Sequence, residues 1–160
     1  MFSKGPLKLP FFELDSRAAI LNIACTPPPV AYFSWRSYLL TDPALVFASL
    51  GDSLNHLVIN TTGGSGSEVF RRTTALVTTG DAASYAAVST ALAAAGLGNA
   101  TNLDAIAPSL LPHPRLASFV MLHRASIWAN PDEKAACAPP VDSNYVTSGC
   151  NKSRCKGLSH

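Results

Sequence analysis

The stretch from Thr73 to Gly96 constrains the fold more than any other part of this chain. Thr73-Thr74-Ala75-Leu76-Val77-Thr78-Thr79 is β-branched and apolar, which predicts an inner strand. Gly80-Asp81 breaks it. Asp81 is a natural N-cap, because its carboxylate accepts from first-turn N–H groups, and Gly96 stands where helices commonly end in a left-handed residue. Between them Tyr85, Val88, Leu92 and Ala95 recur at helical spacing, which predicts a helix over 82–95. A strand followed by a helix that must pack back on its own sheet places the chain in the α/β (or α+β) class.

The remainder of residues 32–137 reads as one α/β body. Tyr32–Leu40 is aromatic and predicts a strand, with Arg36 placed for an ordinary cation–π contact among its rings. Thr41-Asp42-Pro43 is a turn, Ala44–Leu50 a short buried strand, and Ser53–Asn60 either a helix start or another strand. Thr61–Ser67 is a flexible Gly/Ser loop; it lacks the Gly-Lys-Ser/Thr ending of a phosphate cradle. A second short helix is expected over Asn102–Leu111, ended by Pro112-His113-Pro114. Ala117–Trp128 predicts a strand with Phe119, Met121 and His123 on one face and Val120, Leu122 and Arg124 on the other; apolar residues on both faces suit a central position. Strand 73–79, a helical crossover and a return at 117–128 make a parallel βαβ-like unit. The expected architecture is a small mixed sheet of about four strands with helices packed on it.

Both ends differ from this body. Residues 1–31 hold five of the twelve prolines, including Pro27-Pro28-Pro29, and read as an extended arm with one helical turn near Asp15–Ile23. Residues 138–160 are a polar, Cys-containing tail that cannot build a core. Arms of this kind become ordered against a partner, a metal or a disulfide.

All four cysteines, Cys25, Cys137, Cys150 and Cys155, lie in the flanks, which suits bridges that tie tails down. Zinc on Cys137, Cys150, Cys155 and His160 is disfavoured, since no Cys-x-x-Cys knuckle is present. No cofactor is implied. Asn60, Asn99 and Asn151 open Asn-x-Ser/Thr sequons. Cysteines and sequons together point to a secreted or organelle-lumenal glycoprotein. Glu13, Asp15 and Arg17 directly before the short apolar patch 18–25 make the first residues a poor signal peptide. No apolar run reaches the ~20 residues of a transmembrane helix, although peripheral membrane association is open. With 48% hydrophobic and only 14% charged residues, part of the surface is expected to be covered by something else. The twelve basic residues are scattered, which argues against nucleic acid as a partner.

One block carries candidate chemistry. Gly51-Asp52-Ser53-Leu54 follows an apolar run and resembles the first signature of GDSL-type (SGNH) hydrolases. The resemblance implies Ser53 as nucleophile of a small serine esterase, with its own N–H on the oxyanion. That family's Gly-x-Asn-Asp and Asp-x-x-His blocks do not occur in this chain. His123 would have to serve as base, with Asp104 or Asp81 orienting it. Without a complete catalytic set, the reading favoured by the sequence is a non-catalytic interaction or structural module: an accessory or linker subunit that meets other protein subunits through the 1–31 and 138–160 arms, or a secreted disulfide-stapled domain. The Ser53 esterase is the alternative.

Overall fold

The structure, a computed structural model, describes residues 12–41, 46–50, 54–111, 117–130 and 132. It is a mixed α/β fold, and its strands form two sheets instead of one. The elements in chain order are β1 (Ala19–Cys25), β2 (Val30–Thr41), β3 (Val46–Ser49), β4 (Leu54–Asn55), β5 (Thr73–Thr79), α1 (Ala82–Ala94), β6 (Thr101–Ala105) and β7 (Ala117–Trp128). In the first sheet β2 is central: β7 pairs antiparallel along one edge, and β3 and β4 succeed each other along the other. In the second, β5 lies between antiparallel β1 and parallel β6.

The strand alternation explains why the sheets face each other. Phe33 and Trp35 of β2 pack with Leu76 of β5, Ala24 of β1 and Met121 of β7 in one buried cluster. The opposite face of β5 presents Ala75 and Val77 to Leu92, Val88 and Tyr85 of α1. The result is three layers: sheet, sheet, helix. Both caps of α1 are as expected. Ser84 N–H and Oγ donate to Asp81 Oδ2 at 2.9 and 2.7 Å. At the other end Gly96 takes φ 79°, Gly96 N–H reaches Ala93 O and Leu97 N–H reaches Leu92 O, a Schellman arrangement.

Four expectations are corrected. First, much of the 1–31 segment belongs to the folded body. Ile20↔Thr78 through Ala24↔Thr74 register β1 on β5, Leu14 is buried, and Phe12 exchanges two 2.8 Å backbone bonds with Phe119. A single turn closes at Asp15–Ala18, where Arg17 N–H donates to Asp15 Oδ1, and no helix follows it, because from Ala19 on β5 offers a complete row of backbone partners. Pro27–Pro29 form the corner between the sheets, where Pro27 O and Pro29 O accept from Arg71 and Ala129 and no proline N–H is needed. Second, Asn102–Leu111 is not a helix: it begins in β6 and ends in a single 3-10 turn at Pro108–Leu110. Third, the parallel crossover from β5 returns at β6, whereas β7 joins the other sheet. Fourth, the cation–π contact in the aromatic strand is made by Arg124, 5.7 Å from the Tyr38 ring centre, and not by Arg36. The tail 138–160 lies outside the described residues. No helix among the described residues is long and apolar enough to cross a membrane.

Gly80 marks a close approach that no side chain can share. A Cβ there would stand 2.3 Å from Leu111 Cδ1 and 2.8 Å from Ile106 O. Gly80→Ala is expected to destabilise the fold by about 2 kcal/mol through overpacking at the strand–helix junction, read as a lower urea midpoint.

Candidate functional site

The most unusual chemistry of the described residues lies on the inner face of the first sheet. Register places Trp35 opposite both Leu54 and His123, and Phe33 opposite Ala125, with His56 N–H donating to Phe33 O on the other side. Two imidazoles therefore flank a pair of buried aromatic rings. The His123 ring centre is 4.6 Å from Trp35, and Phe33 meets Trp35 edge-on at 5.5 Å. Phe33 also lies 6.0 Å from His56, 6.5 Å from His123 and 5.7 Å from Phe70. Trp35 Nε1, His56 Nδ1 and His123 Nε2 are buried with no hydrogen-bond partner. Buried polar atoms of this kind are normally paired, so three in one cluster set this region apart from the rest of the core.

Burial has a direct electrostatic consequence. The apolar rings around His123 disfavour its charged form and push its pKa from 6.5 down to about 4. It is neutral near pH 7 and a weak base. His123 does not meet Asp104 or Asp81, the two carboxylates considered as its orienting partner. Asp104 is buried one strand layer away, where its Oδ2 accepts from Ser37 Oγ at 2.5 Å and from Thr78 Oγ1 at 2.8 Å. Those bonds join β6 to the facing sheet and to β5. Asp81 is engaged in the α1 cap, whose hydrogen bonds from Ser84 lower its pKa. Ser53 lies outside the described residues. Among the described residues no three His, Cys, Asp or Glu side chains converge as metal ligands.

Beside this cluster the first sheet ends in an apolar tip. Tyr32 sits on β2 with its ring edge-on to His56 at 5.8 Å. On one side of it the chain turns through Leu57 and Val58, which are 71% and 57% exposed and held by Asn55, whose Oδ1 and O accept their N–H groups. On the other side Ile127 follows Ser126, the partner of Tyr32 in β7. Ile127 is 78% exposed and holds φ at 57°. A β-branched residue in the left-handed region is a true outlier, costing about 1–2 kcal/mol. The sequence reading named Trp35 within the aromatic strand, as core packing or an aromatic docking face, but missed His56 and Ile127 as site residues. His56 is visible only once register aligns it with Trp35, and backbone strain at Ile127 has no sequence signature.

The compartment signals divide by position. Cys25, at the end of β1, is disulfide-bonded, whereas Cys137, Cys150 and Cys155 lie outside the described residues. Asn60 and Asn99 are exposed, and Asn151 lies outside the described residues. No protein-family model matches this chain, and neither a curated protein nor a solved structure shows significant similarity to it.

Proposed function

We propose that this chain is a non-catalytic interaction module of the secreted or lumenal space, stapled by a disulfide from Cys25 to one of the C-terminal cysteines, which docks a protein partner through the apolar tip of its first sheet. It acts as an accessory or linker subunit, with the 138–160 segment adding to the contact. The observation that carries this reading is Ile127, a large apolar side chain held out to solvent on a strained backbone, across Tyr32 from exposed Leu57 and Val58. Strain that persists in a fold is a common mark of a functional position. Removing a few such side chains from water at an interface is a direct use for them. The depressed basicity of His123 supports the non-catalytic side of the reading, since a general base works best with a pKa near the operating pH.

The test is association. The full chain is expected to sediment as a complex in extracts of its source, and Ile127→Asp to shift it to the mass of a lone chain. Ile127→Gly separates docking from folding. Glycine tolerates φ 57°, so this variant is expected to keep or raise the thermal midpoint while weakening association. A wild-type chain that sediments alone at all concentrations would sink the proposal. So would labelling by a fluorophosphonate probe that Ser53→Ala abolishes, the signature of the esterase alternative.

A further inference from the structure

Two sequons far apart in sequence meet at one corner of the molecule. Asn60 follows the turn after β4, and Asn99 lies in the short 3-10 turn before β6. The Asn102 side chain joins them. Its Nδ2 donates to Asn60 O at 2.9 Å and to Ala100 O at 3.0 Å, and its Oδ1 accepts from Asn60 N–H at 2.8 Å. Thr74 Oγ1 spans the same two carbonyls, at 2.9 Å and 3.5 Å. The backbones of Asn60 and of the residue after Asn99 are thus fixed to one amide, while both asparagine side chains are exposed. The arrangement is specific: the amide of Asn102 pairs with Asn60 as a neighbouring strand would, and so holds the sequon loop in a single conformation against β5 and β6.

From this geometry we infer that Asn60 and Asn99 are a paired N-glycosylation site, taking two oligosaccharides side by side at the start of β6. The inference rests on the extracytoplasmic part of the proposed function, for which the disulfide at Cys25 is the physical support. β6 is the outer strand of its sheet among the described residues. An edge strand left open invites pairing with another chain, and bulky, hydrated glycans near its first residues hinder that approach. Buried Ile59 separates Val58, whose N–H is held by Asn55 of the first sheet, from Asn60, held by Asn102 of the second. The glycans therefore border the docking surface without replacing it.

The test uses the chain isolated from its source. Intact mass is measured before and after peptide-N-glycosidase F, and the enzyme is run in heavy-oxygen water to mark each released asparagine. Marking at both Asn60 and Asn99 is the expected result. In the secreted recombinant chain Thr62→Ala and Thr101→Ala should each abolish one glycan, whereas Thr62→Ser and Thr101→Ser should keep it. Non-reducing peptide mapping of Cys25 on the same sample separates the two ideas. An intact bridge with neither asparagine marked overturns the paired site and leaves the extracytoplasmic reading standing; a bridge with only one marked also overturns the pair. A free thiol at Cys25 with both asparagines unmarked overturns both.

Discussion

Replacing Asp104 with alanine is expected to lower the unfolding free energy by about 3–5 kcal/mol, because it leaves two buried hydroxyls without an acceptor and opens a gap between the sheets. Ser37 and Thr78 both donate to the same carboxylate oxygen, from opposite sheets, and all three residues are buried. Two buried hydroxyls sharing one acceptor oxygen tie the two sheets together more specifically than apolar contact alone. Asp104→Asn keeps an acceptor oxygen and should cost less, about 1–2 kcal/mol. The informative control is the triple replacement Ser37→Ala, Thr78→Val and Asp104→Leu. It removes every polar group at once and should recover much of the loss, since an apolar set of similar volume leaves nothing unpaired. Urea unfolding of the four chains measures this. An Asp104→Ala chain within about 1 kcal/mol of wild type would refute the account, because even one stranded buried hydroxyl costs more than that.

The same residue shows where sequence reasoning stops. Strands 73–79 and 117–128, the aromatic strand and the capped helix were all legible, because their patterns are local: β-branched runs, a 3.6-residue repeat, an aspartate and a glycine at the two helix ends. β6 was not. In it Asn102 and Asp104 point inward and are buried while Leu103 is exposed, which inverts the usual alternation. Polar residues can take the inner positions only because partners wait there: Ser37 and Thr78 for Asp104, Asn60 and Thr74 for Asn102. Those partners are 26 to 67 residues away in sequence and invisible to any window. β1 failed for a related reason. Its pairing with β5 closes a loop of about fifty residues, and nothing in Ala19–Cys25 itself names that partner. For the candidate site, composition pointed to a covered surface, whereas the exposed tip at Leu57, Val58 and Ile127 emerges only from register and backbone angle.

Acid is expected to weaken this protein earlier than carboxylate titration alone would, and His123 is the reason. Its folded-state pKa of about 4 lies below the ordinary 6.5, so the unfolded chain binds a proton more readily than the folded one between those values. The direction follows. Above pH 6.5 the imidazole is neutral in both states and there is no penalty. As pH falls from 6.5 towards 4 the unfolded state is progressively favoured, and the loss approaches about 3 kcal/mol, at 1.36 kcal/mol for each unit of difference. Below about 4 both states are protonated and this contribution levels off. Asp81 acts in a separate, lower window: its pKa is held below 3.8 by Ser84, so its contribution is present above 3.8 and is lost as pH falls through the lower folded value. His123→Phe keeps a ring against Trp35 and removes the titration; His123→Leu is the second variant should phenylalanine pack poorly. Urea unfolding from pH 7.5 to 4 should show a stability that falls with acid in wild type and a markedly flatter profile in either variant. Parallel profiles for wild type and variants, or an imidazole that titrates near 6.5 by NMR in the folded chain, would mean that water or a proton acceptor reaches Nε2. The rings of Trp35 and Phe33 packed on His123 would then not exclude solvent, and His123 would no longer be too weak a base for catalysis near neutral pH.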